Sequence, residues 1–220
     1  MSRLFGFTQL PNLAQRYNIA PTQDVAVIRS IEGVRELGLL RWGLIPSWAK
    51  DIEFGAKTIN ARAETVAEKP SFHAAYQQRR CLIAADGYYE WVKAADGKQP
   101  YLFCREDGAP FGLAGLWESW INPGDGTEVL SCSIVVREAG PFTAAYHHRM
   151  PVIVGPDDFG TWLGEGGPSM GDVANVMAAP NEDGLIAFAV SKRVNNVRND
   201  DAGCIEQVEL PPAVQQGKLF

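Results

Sequence analysis

The chain has 220 residues, an apolar share of 46% and a formal net charge of −6. That length fits one large domain or at most two small ones, and no apolar stretch approaches the roughly 20 residues of a membrane span. The acidic balance argues against a broadly basic surface that coats nucleic acid by neutralising phosphates, while leaving room for a basic cleft in an acidic body.

The predicted elements are short and numerous. Strand-like runs occur at 24–29, 34–42, 81–85, 88–93, 100–105, 111–117, 129–136, 151–154 and 185–190, several joined by Gly, Asp, Asn or Pro turns. Ala94-Ala95-Asp96-Gly97-Lys98 between two of them reads as a hairpin connection. Helices are fewer. One is expected within 61–78, starting near Lys69-Pro70-Ser71, because proline is tolerated in a first turn. A second, at 156–163, has an N-terminal Pro-Asp-Asp and a closing Gly164. A third is expected at 140–146. Many hairpin-linked strands with a few outer helices predict an α+β fold, a single domain over 1–220 whose short, mostly antiparallel strands form curled, barrel-like sheets.

The most informative residue is Glu90, in Asp86-Gly87-Tyr88-Tyr89-Glu90-Trp91. A carboxylate among three aromatic side chains is poorly hydrated, which disfavours its charged form and raises its pKa, as acid–base catalysts require. The alternative is a strand that alternates faces, with Glu90 in water and Trp91 in the core. Three further segments carry chemistry. In Arg41-Trp42-Gly43-Leu44-Ile45-Pro46-Ser47-Trp48 two tryptophans flank a Gly/Pro loop that either stacks on a base or packs the core. In Ile59-Asn60-Ala61-Arg62-Ala63-Glu64-Thr65, Arg62 offers a fork suited to phosphate, or Asn60 is a helix cap beside a surface arginine. In His147-His148-Arg149-Met150-Pro151 one histidine can serve as a general acid near neutral pH. Adjacent histidines in a strand point apart and suit a shared metal poorly. Arg41, Arg79, Arg80, Lys192, Arg193 and Arg198 also lie beside these segments.

Cys81, Cys104, Cys132 and Cys204 show no Cys-x-x-Cys spacing, so neither a metal site nor a disulfide framework is expected. Cys81 and Cys132 lie in apolar runs and read as buried core thiols. No cofactor is expected. Gly-rich phosphate loops, Gly-x-Ser-x-Gly elbows and His-Glu-x-x-His helices are absent from the sequence. The N-terminus lacks an apolar core of signal-peptide length, which predicts a cytoplasmic location.

Taken in order, Arg16-Tyr17-Asn18-Ile19-Ala20-Pro21, Arg41-Trp42-Gly43-Leu44-Ile45-Pro46, Asn60-Ala61-Arg62-Ala63-Glu64-Thr65, Ala85-Asp86-Gly87-Tyr88-Tyr89-Glu90-Trp91, Ala114-Gly115-Leu116-Trp117-Glu118 and His147-His148-Arg149-Met150-Pro151 resemble the SRAP family of abasic-site processing proteins. The portion from Gly164 resembles it more weakly, through Val194-Asn195-Asn196-Val197. The resemblance implies binding of single-stranded DNA that carries an abasic site, by a monomer without a membrane partner. It also implies that an N-terminal cysteine captures the ring-opened sugar as a thiazolidine, with Asn60, Glu90 and His147 assisting. Arg62 and Arg149 match positions that grip phosphate, and Trp42 matches an aromatic near the lesion. Expelling water from the amine adduct and opening the sugar ring both need positioned proton donors, which a desolvated glutamate and a histidine supply.

Family chains begin Met-Cys-Gly-Arg, whereas these residues begin at a segment resembling a later part of that pattern, and no cysteine occurs before Cys81. Two expectations follow. Either the natural product carries the missing segment upstream, or the chain is native and binds damaged single-stranded DNA without covalent chemistry. A cysteine peptidase pairing Cys81 or Cys132 with His147 is the remaining alternative; it lacks the electropositive, exposed context that a reactive thiol needs.

Overall fold

The computed structural model describes residues 1–8, 12–94 and 97–210. Eleven strands form two sheets: β1 (Asp24–Ile31), β2 (Val34–Trp42), β3 (Asn60–Arg62), β4 (Arg80–Ala85), β5 (Gly87–Ala94), β6 (Gly97–Arg105), β7 (Phe111–Ile121), β8 (Glu128–Glu138), β9 (Arg149–Pro151), β10 (Ile153–Val154) and β11 (Leu185–Ala189). In the larger sheet the order runs β7-β4-β1-β2-β8, and β8 pairs back onto β7. Five strands therefore close on themselves, which removes open edges from the centre of the fold. Pairing is antiparallel except where β2 and β3 meet β8. The smaller sheet has the order β11-β6-β5. The curled, mostly antiparallel α+β fold expected from the strand pattern is thus the observed one.

Alternation along the strands feeds two cores. In β4, Leu82 joins a cluster with Phe5, Phe159, Trp162 and Val173 from the helices. Its neighbours Cys81 and Ile83 join a second cluster with Val27, Leu40, Cys132 and Phe103. The two-residue side-chain period of a strand produces this split.

The helices are α1 (Ser2–Phe5), α2 (His73–Gln78), α3 (Phe159–Leu163) and α4 (Met170–Val176). The helix expected from Lys69-Pro70 starts later, at His73. Proline disfavours the helical region for the residue before it, and 63–72 runs as successive turns instead. The helix ends at Gln78, the last residue of the expected range, where Arg80 Nη1 donates to the carbonyls of Tyr76 and Gln77 at 2.7 and 2.8 Å. The expected helix at 156–163 is a 3-10 turn, Pro156–Asp158, running into α3 and closed by Gly164 at φ 84°. That expected at 140–146 is only a 3-10 turn, Thr143–Ala145. The single strand expected at 151–154 is two: β9 pairs with β8 and β10 with β7. Val152 between them bonds Val135 O at 2.9 Å and accepts from Ala114 N at 2.8 Å, so the segment changes partner at that residue. Asn60 caps no helix but opens β3. The β5–β6 hairpin forms as expected, with Ala94 opposite Gly97, and its two connecting residues lie outside the described ones.

Candidate functional site

The site is assembled from β5, from β3 and from the segment leading into β9. In β5 the strand period puts Tyr88 and Glu90 on one face and Tyr89 and Trp91 on the other. Tyr88 stacks on Phe103 at 5.0 Å. Tyr89 Oη donates to Tyr17 O at 2.6 Å, and Trp91 Nε1 to Asn195 Oδ1 at 2.7 Å. Two of the three aromatics adjacent in sequence therefore face away from the carboxylate. Its apolar surroundings come across the hairpin. Tyr101 lies opposite Glu90, and Tyr146 packs edge-on to Tyr101 at 4.9 Å and to Phe103 at 5.0 Å. The alternative of a water-facing Glu90 over a core Trp91 is reversed: the Glu90 side chain is 20% exposed, while Trp91 is the exposed residue at 37%.

Glu90 Oε1 stands 3.6 Å from His147 Nδ1. Burial raises the carboxyl's pKa, and the attraction of the facing His147 partly opposes that rise. His147 Nδ1 also lies 3.0 Å from Arg149 O and 3.2 Å from Arg149 N, so the backbone of β9 fixes the ring while the tautomer selects which contact is a hydrogen bond. The expectation that His147 and His148 point apart is corrected. They precede β9 in a bend rather than standing in a strand, and their rings meet with centroids 4.3 Å apart. Among the described residues no three His, Cys, Asp or Glu side chains group as metal ligands.

Strand β8 carries the other candidates on its two edges. Val136 pairs with Arg62 on one side and with Pro151 on the other. Asn60 and Arg62 are exposed on β3, and neither side chain has a hydrogen-bond or ion-pair partner among the described residues. Arg149, expected to grip phosphate, is already engaged: Nη1 lies 2.6 Å from Glu64 Oε1. Burial pushes the Glu64 carboxyl up, but hydrogen bonds from its own backbone and from Arg149 outweigh that and hold it low.

Trp42 is half-buried, and its Nε1 donates to Ile59 O at 2.9 Å, the carbonyl just before Asn60. The loop that follows packs the core, the second of its two expected readings. Leu44 and Ile45 are fully buried, Ile45 N donates to Ser131 Oγ at 2.8 Å, and Trp120 Nε1 donates to Ala49 O at 2.8 Å. Trp48, 56% exposed and edge-on to Phe54 at 5.1 Å, is the ring this loop offers to solvent.

Of the other arginines beside these segments, four are structural. Arg79 pairs with Glu118 and Arg193 with Asp201, each at 2.7 Å. Arg41 donates to Thr22 O at 2.6 Å, and Arg80 is buried among carbonyls. Cys81 and Cys132 are fully buried, and burial pushes both thiols well up. That is the environment of an inert core thiol rather than a nucleophile.

Sequence reasoning missed Tyr101, Glu64 and Asp200. Tyr101 was open to discovery from the hairpin register. Asp200 accepts from Tyr17 N at 2.6 Å and Asn18 N at 2.9 Å and pairs with Arg16. No local pattern signals a contact between segments so far apart in the chain.

The closed five-stranded sheet thus has beside it a half-buried carboxylate–imidazole pair, with Arg62, unpaired among the described residues, on the strand adjoining β8 and Trp48 exposed in the loop after β2, while the Cys81 and Cys132 thiols are sealed in the core. The chain belongs to the SRAP family, SOS response associated peptidase, which it matches over residues 2–197. It is 38% identical over 192 residues to the abasic site processing protein YoaM of Bacillus subtilis, covering 86% of this chain and 84% of that protein. It is 30% identical over 200 residues to the abasic site processing protein YedK of Escherichia coli, covering 90% and 87%. A crystal structure of a Bacteroides thetaiotaomicron protein superposes with a TM-score of 0.76 at 26% identity, covering 86% of this chain and 82% of that one. No helix among the described residues is long and apolar enough to cross a membrane.

Proposed function

We propose that this chain recognises abasic sites in single-stranded DNA as a monomer and carries out acid–base chemistry on the exposed sugar. The observation that carries the reading is the Glu90–His147 pair, 3.6 Å apart on the flank of the closed sheet. An abasic sugar exists mainly as a closed ring, and opening it requires a proton delivered to the ring oxygen and one removed from the hydroxyl. A carboxyl whose pKa is raised by burial keeps its proton to higher pH, and an adjoining imidazole takes one up, so the pair divides these roles. Asn60, on β3, orients the sugar through its amide. With no base to read, recognition uses backbone and gap contacts. Arg62, exposed and unpaired among the described residues, binds a phosphate, Arg149 binds a second by exchanging Glu64 for it, and the Trp42–Trp48 loop fills the space of the lost base, with Trp48 as its outer ring.

Thiazolidine formation needs an amine and a thiol on one N-terminal cysteine. The four cysteines of these 220 residues stand at 81, 104, 132 and 204, and noncovalent binding by the 220-residue chain is what the test reads. The test mixes it with oligonucleotides that differ only in one abasic site, single-stranded and duplex. Preferential retention of the single-stranded abasic oligonucleotide, with overall affinity weakened but the preference kept in Arg62→Ala, supports the reading. Equal affinity for intact and abasic strands overturns it, and a denaturation-resistant adduct overturns the statement about the thiol.

A further inference from the structure

The segment from Gly164 onward reaches back to the loop that carries His147. Glu182 lies between α4 and β11. Its Oε1 accepts from Thr143 N at 2.8 Å and its Oε2 from Phe142 N at 3.1 Å. These are the leading N–H groups of the turn Thr143–Ala145, which have no partner within the turn itself. At the other end of that turn the Thr143 carbonyl accepts from Tyr146 N at 2.9 Å and from His147 N at 3.0 Å. One residue, Thr143, therefore links the carboxylate through its N–H to the backbone of His147 through its C=O. The seat is shaped for it, since a Cβ at Gly140 would overlap the Glu182 carboxyl. Leu185 N holds the same residue from behind, donating to Glu182 O at 3.0 Å. Thr143 is fully buried, so its N–H depends on Glu182, whereas Phe142 is 36% exposed and its N–H has water as an alternative partner.

We propose that Glu182 is a positioning residue for His147: its carboxylate caps the Thr143–Ala145 turn and thereby keeps the imidazole facing Glu90. The functional meaning of the assignment rests on the reading above, but its physical test does not. Hydrogen bonds from Thr143 and Phe142 outweigh burial and hold the Glu182 carboxyl low, so it stays ionised as a cap.

The test reads the titration of the Glu90 side-chain carboxyl by carbon-13 NMR in the full chain. The groups facing it are Tyr88, Tyr101 and His147, with the His148 ring behind His147. Attraction from His147 lowers the Glu90 midpoint, so His147→Ala raises it and sets the scale. If Glu182 positions His147, Glu182→Ala lets the ring drift and shifts the Glu90 midpoint upward, by about half the His147→Ala shift or more. Removing a nearby negative charge without moving the ring does the opposite and lowers the midpoint. An upward shift supports the proposal; a downward or absent shift in folded protein overturns it. Glu182→Leu keeps the side-chain volume and removes both acceptor oxygens, and reads the same sign should the alanine variant not fold. A wild-type chain that ignores abasic sites while Glu90 responds to Glu182 as stated removes the functional reading and leaves this assignment supported.

Discussion

Glu90 Oε1 and His147 Nδ1 face each other at 3.6 Å, with side chains 20% and 35% exposed. The pair is half out of water, and this decides how it behaves. Fully exposed charges at that distance are screened to little effect, whereas a desolvated carboxyl depends on its partner for ionisation.

Glu90→Gln is expected to abolish sugar chemistry while leaving affinity for the abasic strand within a few-fold. The same substitution tests linkage. Burial raises the Glu90 pKa in the folded state, so the folded protein holds this proton more tightly than the unfolded chain. The stability it contributes is present below the unfolded pKa and is lost as pH rises through the folded one. Above that window Glu90→Gln removes the cost of a buried charge and stabilises the fold by on the order of 1 kcal/mol. Urea melts at acid and neutral pH check this; equal stability of the two proteins at neutral pH contradicts it.

Arg62 is exposed on β3 and unpaired among the described residues. Arg62→Ala is expected to leave the melting temperature unchanged, weaken binding to intact and abasic strands alike, and reduce the slope of log affinity against log salt by about 1. Titrations at several salt concentrations measure that slope.

Glu64 occupies the guanidinium of Arg149 at 2.6 Å. Glu64→Gln frees it for phosphate without removing a cation, so affinity for single-stranded DNA is expected to rise and its salt dependence to steepen. Because the Glu64 side chain is 44% exposed, little stability is lost, and thermal melts should superimpose within about 0.5 kcal/mol. Weaker binding by the variant would mean that Glu64 aims Arg149 rather than occupying it.

Trp48→Ala and Trp42→Phe separate the two duties of the tryptophan loop. Trp48 is the exposed ring, and its loss is expected to cost about 1–3 kcal/mol in DNA affinity with little change in stability. Trp42→Phe removes the hydrogen bond to Ile59 O and should cost about 1 kcal/mol of stability. Fluorescence quenching by the abasic strand, followed in each variant, distinguishes them.

Arg80 donates to the carbonyls of Tyr76, Gln77 and Trp162. Burial lowers its pKa. Arg80→Ala is expected to destabilise the fold by roughly 2–4 kcal/mol, through carbonyls left unpaired and a cavity, and Arg80→Lys should not restore it, since a point charge cannot serve three carbonyls on a planar fork.

Most strands were legible because alternation and turn residues are local signals. Residues 34–42 and the hairpin on either side of Ala94 and Gly97 appear as read. Short helices were harder. The capping box of Ser169 and Asp172 at the start of α4 was present as Ser-x-x-Asp but had no long apolar run behind it. The partner change at Val152 leaves no trace in sequence, because apolar residues suit either strand.

The sequence by itself determined the residue types of the site, their order and the alternation that separates Glu90 from Trp91, since each depends only on neighbours along the chain. Tertiary structure alone decided which groups desolvate Glu90, that His147 rather than another partner meets it, that Arg149 is occupied while Arg62 is open, and that Glu182 and Asp200 hold the loops from the far end of the chain. Those are contacts between distant segments. Their energies depend on burial and distance, which exist only once the sheet has closed.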